Sequence, residues 1–156
     1  MPVSFQREYF KDTVAEARPL LIAHWKELAR NKDLIELNPD YSKYLQIEQL
    51  DLMRVYTARE NGSLVGYAVY MLSPHLHYMD HVWAASDIFW LHPANRKGFT
   101  GVKLLKFAET SLRDGGVSVM HTTVKIAHPA AGKVLEYLGH TPIEIGYAKI
   151  LTKTEK

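Results

Sequence analysis

The order of periodicities along the chain predicts a mixed α/β (α+β) fold, with a single mixed, mostly antiparallel central sheet flanked by helices. Short segments alternate apolar and polar residues, other segments repeat apolar residues near helical spacing, and Asn61-Gly62 stands between two alternating runs as a hairpin turn. The chain has 156 residues and no internal repeat, low-complexity tract or Pro/Gly/Ser linker. Residues 1–156 are therefore expected to form one domain around one core.

Val3 and Phe5 read as a first short strand. A helix follows from Asp12 or Thr13, where Thr13 and Glu16 have capping-box spacing, and Val14, Ala17, Leu21, Trp25 and Leu28 mark its apolar face. Pro19 interrupts that pattern, so the helix kinks or a second one begins there. After a loop through Asn38-Pro39-Asp40, residues Tyr44, Leu45, Ile47 and Leu50 suggest another helix. Met53 to Arg59 and Leu64 to Leu72 form the hairpin around Asn61-Gly62, and Ser73-Pro74-His75 is expected to end its second strand. Val82 to Leu91 is a further strand, closed by His92-Pro93. Val102, Leu105, Phe107, Ala108 and Leu112 then mark an amphipathic helix stopped by Gly115-Gly116. Val117 to Val124 alternates like a strand, Pro129 starts a helix that ends at Gly139, and Ile143 to Leu151 reads as a last strand.

The composition is that of an ordinary globular protein, 47% hydrophobic and 23% charged, with a formal net charge of +2 and both signs interspersed. That balance gives no electrostatic case for nucleic acid, and Lys153, Glu155 and Lys156 read as a solvated tail of mixed charge. The absence of cysteine excludes a disulfide framework, a thiolate metal site and a cysteine nucleophile. No apolar run approaches a membrane span and the N-terminus lacks a signal-peptide core, so a soluble, cytoplasmic protein is expected.

The most informative segment is strand, glycine-bearing loop, helix: Ile88 to Leu91, Arg96 to Gly101, then Val102 onward. Free N–H groups at a helix N-terminus attract anions, glycine lets an anion approach the backbone, and Arg96, Lys97 and Thr100 add charge and a hydroxyl. By spacing alone the favoured reading of the segment is a helix entry with a flexible loop, because short glycine patterns are weak motifs. It lacks the Gly-Lys-Ser/Thr ending of a Walker loop, and with only Gly98 and Gly101 it is not a dinucleotide fingerprint.

The run Leu91-His92-Pro93-Ala94-Asn95-Arg96-Lys97-Gly98-Phe99-Thr100-Gly101-Val102 resembles the acetyl-CoA loop of GNAT N-acetyltransferases, Arg/Gln-x-x-Gly-x-Gly/Ala after a strand ending Val-x-Pro. Arg96 and Gly101 fall on the pattern, Phe99 stands where the middle glycine is usual, and Gly98 comes one residue early. The segment His128 to His140 is similar to the family's Asn-x-x-Ala…Tyr-x-x-x-Gly-Phe segment, with Ala131 and Gly139 matching and His128 and His140 replacing Asn and Phe. The resemblance spans roughly residues 52 to 151 and implies the GNAT acyl-CoA N-acyltransferase fold.

The resemblance further implies direct transfer of an acetyl group from acetyl-CoA, as cosubstrate, to a primary amine. Trp90, Leu91, His92, Arg96 to Val102 and His128 would bind it, with backbone N–H groups of Trp90, Leu91 or His92 facing the thioester oxygen. Asp87 is the implied base, four residues before Leu91. Strand alternation would put it on one face with Phe89 and Leu91, partly desolvated among Ile88, Phe89 and Trp90. The family's tyrosine acid falls on Leu135 here, while Tyr137 lies elsewhere round the helix; His128, Tyr147 or water would have to replace it.

The acceptor cleft would be walled by Trp25, Glu27, Asp40, Tyr41 and Tyr44, with Tyr41, His77 and Tyr78 in contact with the acceptor. Such aromatics suit a cationic amine on an apolar body. His75, His77, Asp80 and His81 read as part of a lid loop rather than a metal site, and no metal is assigned. The implied partners are acetyl-CoA and an amine acceptor, with no nucleic acid, no membrane and a homodimer left open. A non-catalytic module of the same fold that keeps at most CoA binding, and a nucleotide-binding regulator, are the competing readings.

Overall fold

Five strands form one sheet in the order β1-β2-β3-β4-β5, and the computed structural model describes residues 2–152. The tail residues Lys153, Glu155 and Lys156 lie outside the described residues. Strand β1 (Val3–Glu8) pairs antiparallel with β2 (Met53–Glu60), β2 with β3 (Ser63–His75), and β3 with β4 (Tyr78–Leu91). Strand β5 (Val119–His121) runs parallel to β4. This is the mixed, mostly antiparallel sheet that the sequence predicts.

Alternation along the strands sorts side chains into two cores. Met53, Val55 and Val69 pack with Phe10 of helix α1 (Phe10–Leu28) and with Tyr44 and Leu45 of helix α2 (Tyr41–Gln49). Tyr56, Ala58, Ala68, Tyr70 and Ala84 point the other way, onto Leu104, Leu105, Ala108 and Leu112 of helix α3 (Thr100–Asp114) and Leu135 of helix α4 (Ala130–Tyr137). Burial of each such leucine contributes roughly 1.5–3 kcal/mol. Asn61 and Gly62 both take positive φ, 52° and 80°, as the primed turn of a two-residue hairpin requires.

The structure departs from the sequence reading in four places. Helix α1 starts at Phe10, not at Asp12 or Thr13, and no capping box forms. Glu48 of α2 accepts from the N–H groups of Phe10 and Lys11, Thr13 bonds back to the Tyr9 carbonyl, and Glu16 pairs with Arg59. A carboxylate from a neighbouring helix thus serves the free N–H groups, and the local cap is unnecessary. Pro19 lies inside this one continuous helix.

Strand β3 runs through Ser73-Pro74 to His75, and β4 begins at Tyr78, so the expected lid loop is a tight hairpin at the end of a two-stranded ribbon. Proline is tolerated there because β2 pairs with β3 only as far as Met71, which leaves the far edge of β3 free. Strand β5 keeps three residues of the expected eight. Finally, Ile143 to Leu151 forms no strand, and Ile143, Ile145 and Tyr147 are exposed. A three-residue β5 offers no ladder for it; the side-chain tie to β5 is His121 Nε2 to Glu144 Oε1 at 3.1 Å.

Candidate active site

Strands β4 and β5 share three residue pairs, Trp83 with Val119 through Ala85 with His121, and then part. The parting coincides with a β-bulge. Val69 faces Ile88 and Tyr70 faces Ser86, so Asp87 is the extra residue. The last tie across the split is Thr123 N–H donating to Ser86 Oγ at 2.9 Å. Beyond it a cleft of about 410 Å³ opens, lined by Ile88 and Phe89 on one side and Val124, Lys125 and His128 on the other.

The bulge overturns the predicted grouping of Asp87 with Phe89 and Leu91. Phe89 and Leu91 pack toward α3, whereas Ile88 joins the α1/α2 core and Asp87 reaches Tyr44 of α2. Asp87 is exposed rather than partly desolvated, because the bulge pushes it out of the ladder. The Tyr44 hydroxyl donates to its Oδ2 at 2.6 Å. Burial and the adjacent carboxylate raise the Tyr44 phenol well above its ordinary range, so it stays protonated and fixes the carboxylate's orientation.

Above the bulge, α1 is latched to the end of β4. The buried Trp90 stacks near His24 and Tyr67, and its Nε1–H donates to Glu27 at 2.9 Å. Arg96 donates to both Glu27 oxygens at 2.6 and 2.7 Å and from Nε to the Leu91 carbonyl at 2.8 Å. The hydrogen bond from Arg96 brings the Glu27 carboxyl down to about 2, against its partial burial. His24 Nδ1 lies 2.8 Å from the Tyr67 hydroxyl, and burial brings the His24 ring down to about 4, so it is neutral at neutral pH. The sequence reading missed His24 and Tyr67, since one histidine on an amphipathic helix carries no spacing signal.

The loop after β4 holds a 3-10 turn at Pro93–Asn95, capped by His92 Nδ1, which accepts from the Ala94 N–H. Gly98 takes φ 77°, and α3 follows with Phe99 at its N-cap and no side-chain cap. A Cβ on Gly98 or Gly101 would meet nothing within 4 Å, so the backbone lies open to close approach. The first-turn N–H groups, Thr100 to Val102, have no side-chain cap, and Lys97 beside them is exposed. This arrangement fits an anion.

The predicted residues therefore separate into those brought together and those not. Phe89, Asp87, Tyr41, Tyr44, Trp25 and His128 line one cleft. His77 and Tyr78 do not. They sit at the ribbon's tip, where Tyr78 stacks on Trp83 and the His77 N–H donates to His75 Nδ1. Nine residues of strand from Tyr78 to Asp87 put them roughly 30 Å away. Glu27 and Asp40 are also spent, on Arg96 and on capping α2 at Lys43. Arg96 faces α1 instead of standing free for an anion.

The expected oxyanion donors change as well. The His92 N–H already donates to the Val65 carbonyl at 2.7 Å. Antiparallel alternation then directs Trp90 N–H to β3, and Leu91 and Phe89 N–H toward the split. Among the described residues no three His, Asp or Glu side chains converge as a metal site, and no helix is long and apolar enough to cross a membrane.

No family model and no curated protein matches the chain. Solved structures do. A ribosomal-protein-alanine N-acetyltransferase from Brucella melitensis biovar Abortus 2308 superposes with a TM-score of 0.73 at 16% identity, over 97% of this chain and 100% of that one. An aminoglycoside acetyltransferase from an uncultured soil metagenomic sample, in complex with sisomicin, gives 0.76 at 13% identity over 97% of each chain. A predicted acetyltransferase from Clostridium acetobutylicum, solved with acetyl-CoA, gives 0.70 at 13% identity over 96% of this chain and 97% of that one. The chain has the GNAT acetyltransferase fold.

Proposed function

We propose that the protein is an acetyl-CoA-dependent N-acetyltransferase acting on a primary amine. The observation that carries this reading is the split between β4 and β5, which opens beside the bulged Asp87 and at the same end of β4 as the uncapped start of α3. Acetyl-CoA fits these residues: α3 offers free N–H groups, Gly98 and Gly101 leave the backbone open, and Lys97 adds charge. When bound, it supplies an activated acetyl thioester.

Asp87, oriented by Tyr44, takes a proton from the acceptor's ammonium group, directly or through water. The N–H groups of Leu91 and Phe89 stabilise the negative charge that develops on the carbonyl oxygen. The amine gives up one proton before it bonds to the acetyl carbon and a second as the amide forms. One of the two goes to the departing sulfur and the other to solvent. No tyrosine takes the acid role at position 135, where a buried leucine stands. Arg96 holds the loop to α1 in this scheme and does not contact phosphate.

The test is thiol release from acetyl-CoA with a panel of primary amines, alongside calorimetric binding of acetyl-CoA. Asp87→Asn is expected to cut turnover by about 10²–10⁴-fold while acetyl-CoA affinity holds. Tight binding with no thiol release from any amine would favour the non-catalytic module, to which the engagement of Arg96 by Glu27 lends some weight.

A further inference from the structure

The cleft beside Asp87 constrains its acceptor through charge, shape and size. Of the residues that line it, Asp87 is the sole carboxylate. The facing wall, on the segment after β5, carries Lys125 and His128. A second ammonium on the acceptor would therefore find no partner and would meet a lysine. The remaining walls are mostly apolar, with aromatic rings beside Leu21, Leu28 and Leu37, and their polar groups His24, Ser86 and Thr123 offer no charge to a cation. Phe10 stacks on Tyr44 and Tyr41, at 5.1 and 6.2 Å between ring centroids and 23° between planes in both pairs, and Trp25 lines the same space. The Arg18 guanidinium already lies over the Tyr41 ring at 4.7 Å, so the place left for an incoming cation is Asp87. A volume of about 410 Å³ is at the low end for a small-molecule site, and the acyl end of the thioester must share it.

We propose that the acceptor is a small monoamine with a flat apolar body, of the aralkylamine type. Its nitrogen sits on Asp87 and its ring lies among Tyr41, Tyr44 and Trp25. This assignment rests on the acetyltransferase reading above. It differs from what the sisomicin-bound relative handles, since a polycation needs several carboxylates and this cleft offers one.

The experiment compares kcat/KM for 2-phenylethylamine, hexylamine, spermidine, kanamycin and an unstructured peptide with a free N-terminus, by thiol release with the full chain. Phenylethylamine should lead, with spermidine and kanamycin lower by about tenfold or more. Lys125→Glu places a second carboxylate across from Asp87 and should raise the spermidine-to-phenylethylamine ratio by about tenfold. A wild-type preference for spermidine, kanamycin or the peptide overturns the assignment while leaving the acetyltransferase intact. Hexylamine outrunning phenylethylamine overturns the flat body. Thiol release with none of the amines, together with no calorimetric binding of acetyl-CoA, removes the parent reading itself. If Lys125→Glu fails to fold, the wild-type ranking alone decides.

Discussion

His24 is the residue whose environment most changes its chemistry. Burial brings its ring down to about 4 from an ordinary 6.5. Below pH 6.5 the unfolded chain takes up a proton that the folded chain refuses until about pH 4. Stability therefore falls as pH drops through that window, by up to about 3 kcal/mol, and is level with respect to this group above it. Glu27 adds its own loss only below its ordinary 4.5, because its folded pKa is depressed. Denaturant midpoints between pH 4.5 and 7.5 should slope upward for the native chain and flatten for His24→Gln. Equal slopes in the two proteins would mean the ring is not held neutral. None of this was legible in the sequence. A histidine's burial depends on Trp90 and Tyr67, which arrive from strands more than 40 residues away.

At the scale of elements, the close approach of β3 to β4 sets the site's geometry. A Cβ on Gly66 would lie 2.6 Å from Leu91 Cδ1 and 3.0 Å from the Trp90 carbonyl oxygen. The methyl can turn away but the carbonyl belongs to the backbone, so Gly66→Ala must separate the strands where Leu91 and Trp90 face the site. We expect a loss of about 1–3 kcal/mol in chemical denaturation and weaker acetyl-CoA binding. An unchanged midpoint would show that the sheet absorbs the methyl. The same scale explains what the sequence did and did not disclose. Asn61-Gly62 and the 3.6-residue pattern of α3 are local signals, and each forms as predicted. The bulge at Asp87 is not local. It exists because β4 pairs with β3 in two registers, and strict alternation therefore misassigns the faces of Asp87 and Phe89. The ribbon tip failed for a related reason: Pro74 looks like a stop unless one knows that β3 is paired there with β4 alone and has no β2 neighbour on its other edge.

For the molecule as a whole, the sheet is unevenly joined. Strands β2, β3 and β4 share long ladders, whereas β5 has three residue pairs with β4 and a few flanking hydrogen bonds, Ser118 N–H to the Val82 carbonyl, Thr123 N–H to Ser86, and those of Tyr70 with Thr122 and His81 with Ser118. The expected last strand, which would have lengthened that edge, leaves Ile143, Ile145 and Tyr147 exposed. Local stability follows the density of such ties. In hydrogen exchange, amide protons of β5 should therefore give up protection well before those of β2 and β3. Acetyl-CoA lodged in the split would touch both the firm and the loose part, so it should slow exchange around Val119 to His121 several-fold more than in β2. The weakest seam in the protein would thus double as its sensor of occupancy, tightening only when loaded.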